Sequence, residues 1–255
     1  MVLLPLVDDF VRAVGRVQSA PDLHTILAFF TAEMGFHFFA LTHHVDMLKA
    51  GHTAIRVHDY PEEWAEFFDR SALGPTDPVH RASHVTSVGF AWSELPTLIT
   101  MTAGDRRVLE LAGRHGIGEG YTVPANVPGE SNGSVSFAMR AGTPLPRCMR
   151  PAAQLIGAFA FEAARKLWRV RTPRTGLPTL TDRQRDCLIW VARGKSDWEI
   201  SRILGVTEGT VVRHVKQARE RYGVQKRTSL LMQTLLDGTI SLADAAQWRY
   251  SHFWE

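Results

Sequence analysis

The stretch from Thr181 to Arg227 constrains this chain most, because it holds three helical patterns in tandem separated by two tight junctions. Thr181 and Gln184 form a T-x-x-Q capping box, in which the two side chains satisfy amides that a helix start leaves unpaired. Cys187, Leu188 and Val191 follow as an apolar stripe at helical spacing, and Gly194 ends the pattern in a left-handed turn. Ser196 and Glu199 repeat the box ahead of a short helix whose apolar content is Trp198, Ile200, Ile203 and Leu204. Gly205 stops it. Thr207 caps the third helix, with Glu208 in the first turn, where the positive helix end favours an anion. Val211, Val212, Val215 and Ala218 are expected to be mainly buried, which leaves Arg213, His214, Lys216, Gln217, Arg219 and Glu220 outside.

Two short helices joined by a tight glycine turn, the second polar and basic on its outer face, make a helix-turn-helix. Such a helix fits the major groove, its early side chains reach base edges, and its later basic residues meet phosphates. Thr210, Arg213, His214 and Gln217 are expected nearest the bases. Lys216, Arg219, Lys226 and Arg227 are expected at phosphates, and the two roles are exchangeable. A plain helical bundle with a solvated basic face is the alternative. It leaves unexplained why three capped helices in tandem share one basic face. A fourth helix is expected from Thr228 through Asp237, and its four leucines exceed what one small core needs. A dimer of this domain would pair two reading helices on a two-fold site.

The remaining composition sets bounds. At 255 residues the chain is one large or two small domains, with 45% apolar and 22% charged residues, as in ordinary globular proteins. From Pro173 onward there are 13 Lys and Arg against 9 Asp and Glu; before it there are 16 against 17. A slightly acidic first part and a basic last part suit a control domain joined to a nucleic-acid module. Cys148 and Cys187 imply no disulfide framework and no metal spacing. No stretch has the length of a membrane span, so the expected location is the cytoplasm, with no membrane partner. No nucleophile elbow, H-E-x-x-H or phosphate loop is present, so no enzyme is read here.

In the first part, helices are expected from Leu6 to Ala20, from about Asp22, after Tyr60-Pro61, over Asp105–His115 and over Arg150–Arg171. Strands are expected at Gly35–Leu41, Thr53–His58, Gly120–Pro124 and Ser134–Arg140, with Gly116, Gly118 and Gly120 interrupting the pattern. His43 and His44 are adjacent, so on a strand they face opposite sides and are read as surface or strand-end residues rather than as a metal pair. The segment is read as helices on a small antiparallel sheet. Tyr60, Trp64, Phe68 and Trp92 gather aromatic surface near one acid, Asp77. Two readings stay open. The rings form core and Asp77 is a surface turn residue, or they form a pocket in which Asp77 accepts from a ligand N–H and Trp64 donates to a ligand carbonyl. The proline- and glycine-rich run from Thr172 to Thr179 is the clearest boundary in the chain.

Over nearly its full length the chain resembles LuxR-family quorum-sensing transcription regulators. The C-terminal signature is L-T-D-R-Q at 180–184, Gly194-Lys195-Ser196, L-G-V-T at 204–207, His214-Val215 and Gly223-Val224. The N-terminal one is Tyr60-Pro61 with Trp64, Asp77-Pro78-Val79, Trp92 and Gly120. The resemblance implies an α+β domain (an α/β/α sandwich) over 1–171 that binds an N-acyl-homoserine lactone and dimerises, a linker over 172–179, and an all-α helix-turn-helix domain over 180–255. It also implies a homodimer on an inverted-repeat site in double-stranded DNA, RNA polymerase as a further partner, and no cofactor beyond the small-molecule ligand. Trp64 would bond the lactone carbonyl and Asp77 the amide N–H. Tyr60, Phe68 and Trp92 would line the pocket, and Gly120 would hold the backbone close. Two residues depart from the pattern. Phe68 replaces a tyrosine whose hydroxyl bonds the acyl carbonyl, and Gln184 replaces a glutamate. A ligand of another kind, or none, is therefore the alternative reading.

Overall fold

The computed structural model describes residues 3–45, 54–74, 76–127, 131–171 and 178–245, which divide into two compact units, one up to Arg171 and the other from Pro178. The first unit opens with helices α1 (Leu3–Val14) and α2 (Ala20–Glu33). The expected single helix over 6–20 ends at Val14 because Ser19 caps α2, its hydroxyl accepting from the Asp22 amide at 3.3 Å. Strands β1 (Phe38–His43) and β2 (Arg56–His58), helices α3 (Glu62–Arg70) and α4 (Pro78–Ser83), and strand β3 (Phe90–Ala91) follow. Trp92–Glu94 form a 3-10 turn that runs into the short helix α5 (Leu95–Leu98). Helix α6 (Ala103–Arg114), strands β4 (Ile117–Ala125) and β5 (Gly133–Arg140) and helix α7 (Arg150–Arg171) complete the unit.

The five strands are antiparallel in the order β2-β1-β5-β4-β3. Alternation splits them into two faces. Phe39, Leu41, Val57, Val123, Val135 and Phe137 point to a core shared with α1, α2 and α7. Ala40, Thr42, Thr122, Ser134, Ser136 and Ala138 take the other face, under α3, α4 and α6. The unit is therefore an α/β/α sandwich. Of the glycines that broke the expected pattern, Gly118 and Gly120 lie inside β4 and Gly116 in the turn just before it. A Cβ at Gly118 would come within 2.8 Å of the Arg140 carbonyl oxygen, so only glycine lets β4 pass β5 there.

The second unit contains α8 (Asp182–Ala192), α9 (Asp197–Leu204), α10 (Glu208–Arg221), α11 (Arg227–Leu236) and α12 (Leu242–Ala245). Both capping boxes form, and Gly205 takes a left-handed φ of 66° between α9 and α10. Leu188, Ile200, Val211, Val215, Ala218 and Leu230 build its core. Val212 was expected on the mainly buried face and lies outside this core, as do Trp198 (58% exposed) and Ile203 of the apolar content of α9. The helices are short, and one buried stripe per helix already fills so small an interior.

Candidate functional site

Helix α3 starts after Pro61 and places Trp64, Phe67 and Phe68 toward the sheet. Trp64 is buried, and its ring lies 5.7 Å from Phe68 and 5.5 Å from His115. An ion pair between Arg56 of β2 and Asp69 holds α3 against the sheet edge. Helix α4 packs over β4 and β5, and Asp77 is its N-cap. Asp77 Oδ1 accepts from the Val79 amide at 2.6 Å and the His80 amide at 3.4 Å, which gives a buried acid a structural partner. The other oxygen takes no hydrogen bond among the described residues.

These elements enclose a cavity of about 80 Å³. Tyr60, Trp64, Phe68, Asp77 and Trp92 all line it, so the structure brings five of the six expected pocket residues together. Gly120 does not line it. The Trp92 ring packs against Gly120 so closely that a Cβ there would lie 2.5 Å from the indole. Trp92 Nε1 donates to Thr122 Oγ1 at 2.8 Å, and Thr122 shares a 2.8 Å bond with Ser136 Oγ. Tyr60, Trp64 and Asp77 line this space, and the Tyr60 hydroxyl, Trp64 Nε1 and Asp77 Oδ2 have no hydrogen-bond partner among the described residues. Burial, with Asp77 and Asp59 adding to it, pushes the Tyr60 phenol far above its ordinary range, so it stays a neutral donor. Unpaired polar atoms around a mostly apolar cavity are what a small-molecule site presents.

The two histidines stand at the end of β1 as expected, with contacts that the sequence did not show. His43 does end β1, but His44 turns into the unit and stacks on His80 with centroids 3.9 Å apart. His44 also bonds Ser134 Oγ at 2.8 Å and His84 Nε2 at 2.9 Å. Burial, then His80, His84 and His43, hold its pKa well below the usual imidazole value, so the ring is neutral. At the sheet edge, burial and Arg56 lower His58 to about 4. His80, Thr42 and Ser136 line the cavity and were not singled out in the sequence. Two signals could have found them: the serines alternating with Val135 and Phe137, and the position of His80 in the first turn after the Asp77-Pro78 cap.

In the second unit Arg213, Lys216, Gln217 and Lys226 are exposed, and Thr210 and His214 are partly covered. Gln217 Oε1 accepts from the buried Gln184 at 3.3 Å. Arg219 donates to the Gln225 carbonyl at 2.6 Å. Arg227 pairs with Asp197 at 2.6 Å and reaches the Lys195 carbonyl at 3.0 Å. Arg219 and Arg227 thus tie the unit together, whereas Arg213 and Lys226 present their charge outward and Lys216 does so beside Glu220, 3.8 Å away on the same helix. No helix among the described residues is long and apolar enough to cross a membrane.

A domain of unpaired polar atoms around a cavity and a separate helix-turn-helix define a small-molecule-responsive DNA-binding regulator. Residues 19–164 match the autoinducer binding domain and residues 178–234 match the bacterial regulatory proteins of the luxR family. The quorum sensing-dependent transcriptional regulator RpaR of Rhodopseudomonas palustris is 30% identical over 92% of this chain and 94% of its own. The transcriptional activator AhyR of Aeromonas hydrophila is 26% identical over 91% of each. SdiA in complex with octanoyl-rac-glycerol shares the fold at 18% identity, with a TM-score of 0.67 over 94% of this chain and 97% of that one. The chain belongs to the luxR family, and is a ligand-responsive transcription regulator and not an enzyme. DNA binding and dimerisation come with that membership.

Proposed function

We propose that this regulator senses an N-acyl-homoserine lactone in the cavity of its first unit and reads an inverted-repeat promoter site as a homodimer. The observation that carries the reading is the set of unpaired atoms at the cavity: two donors, Tyr60 and Trp64, and one acceptor, Asp77 Oδ2. An acyl-homoserine lactone offers the complement, carbonyl oxygens and one amide N–H. Trp64 would donate to the lactone carbonyl and Asp77 would accept the amide N–H, with Tyr60, Phe68 and Trp92 closing around them. Gly120 would act one step back, by letting Trp92 lie flat. In this reading 1–171 is the ligand-binding and dimerisation domain, 172–179 the linker and 180–255 the DNA-binding domain, in the cytoplasm.

On DNA, Thr210, Arg213, His214 and Gln217 would approach base edges and Lys216 and Lys226 the phosphates. Arg219 and Arg227 would reach phosphate only through groups left over from their internal bonds. RNA polymerase is the protein partner such a regulator would meet, and exposed Trp198 and Ile203 offer apolar surface for it. Phe68 favours a second reading, in which the ligand is another acylated small molecule, since no hydroxyl at that position meets an acyl carbonyl.

The paired test uses Asp77→Asn and Arg213→Ala. Asp77→Asn is expected to lower lactone affinity about tenfold or more and to leave ligand-independent DNA contacts alone. Arg213→Ala is expected to weaken promoter binding by roughly 1–3 kcal/mol and leave ligand uptake intact. Calorimetry with lactones and promoter titrations at several salt concentrations read the two separately. Equal loss of both functions in either variant contradicts the assignment.

A further inference from the structure

We propose that His80 makes this cavity selective for ligands whose acyl part carries a hydroxyl group, which donates to the ring's Nε2. The inference rests on the acyl-ligand reading above. His80 is 9% exposed, lines the cavity and sits beside Phe68, edge to face with centroids 5.9 Å apart.

Its tautomer follows from its partner. His80 Nδ1 lies 2.8 Å from the Gly74 carbonyl oxygen, which can only accept, so Nδ1 carries the proton. In the neutral ring Nε2 is then an acceptor, and it has no partner among the described residues. The ring cannot turn to escape this. It is pinned at Nδ1, stacked on His44 across 3.9 Å with planes 13° apart, and braced by Phe68. His44 is itself held by Ser134 and His84, so the stack is anchored in the sheet. His80 stands in the first turn of α4, three residues after the Asp77 cap, so the acceptor and the acid that would take the ligand amide move together.

The neighbouring position sharpens the chemistry. Phe68 supplies no donor, so a ketone or other extra carbonyl on this part of the ligand gains nothing there. A hydroxyl has a fixed acceptor waiting, and a plain alkyl chain leaves that acceptor buried and unpaired. A site built around a hydroxyl rejects the analogue lacking it more strongly than an apolar pocket rejects an added group.

The test uses the full-length protein and matched lactones, with affinities from calorimetry. Octanoyl-, 3-oxooctanoyl- and 3-hydroxyoctanoyl-homoserine lactone form one set, and phenylacetyl- with hydroxyphenylacetyl-homoserine lactone form another. At least one hydroxylated member is expected to bind roughly tenfold more tightly than its hydroxyl-free partner. That ratio is expected to fall to near one in His80→Phe, which keeps a ring but no acceptor, whatever its absolute affinities. His80→Leu is the second acceptor-free variant should phenylalanine prevent folding. Lactone binding with no hydroxyl preference, or a preference that survives in both variants, overturns the role of His80 alone. Failure of every lactone to bind overturns the acyl-homoserine-lactone reading together with it.

Discussion

The two faces of the five-stranded sheet differ more than the two units do. On one, Phe39, Leu41, Val135 and Phe137 are fully buried against α1, α2 and α7 in an apolar core. On the other, the same strands present Thr122, Ser134 and Ser136, and beside them lie Asp77, His44 and His80. Adjacent residues of β5 therefore serve opposite purposes. The first face holds the fold by apolar burial. The second gives up close packing to keep polar atoms in fixed places around a cavity.

The sharpest way to break this comparison is to cut neighbouring side chains of β5. Phe137→Ala should cost about 3–5 kcal/mol, because it leaves a cavity in a packed core. Ser136→Ala should cost no more than about 1 kcal/mol, since Thr122 keeps its bond from Trp92, while changing ligand affinity. Urea denaturation reads both, and equal losses would erase the distinction between the faces.

Acid should act on the cavity face. His58 is held near 4 against an ordinary 6.5, and His44 is also lowered. Unfolding frees both rings to bind protons below about pH 6.5, which the folded unit resists. Stability is then complete above that pH and falls as the pH drops toward about 4, by about 2–3 kcal/mol for His58. Replacing His58 with Asn should flatten that part of the curve; an unchanged slope would place the acid sensitivity elsewhere.

A smaller effect is expected behind the cavity, beneath Trp92. Gly120→Ala puts a Cβ 2.5 Å from the Trp92 indole and should cost about 1–3 kcal/mol as that ring and its bond to Thr122 shift. Tryptophan fluorescence would report the displaced ring. A spectrum and stability identical to wild type would mean that Trp92 does not depend on the bare backbone beneath it.

Much of this was legible in the chain because it depends on neighbours in sequence. The capping boxes at Thr181 and Ser196, the left-handed Gly205 and the alternation of β5 are local matters, decided by one turn or one strand. Asp77 ahead of Pro78 could be read as non-helical, and it is. Burial in the small second unit was harder to read, because a periodic apolar residue such as Trp198 belongs to a core only if a partner helix reaches it.

By itself, then, the sequence determined the helix-turn-helix, the helices and antiparallel strands of the first unit and the aromatic residues about Asp77, since capping, period and propensity act within a few residues. Only the tertiary structure decided that Gly120 serves Trp92, that Arg219 and Arg227 are held by internal bonds, and that His44 and His80 stack beside Phe68. Those outcomes depend on which atoms of distant segments meet, and the tautomer of His80 depends on one carbonyl oxygen at Gly74, to which a folded chain alone can bring it.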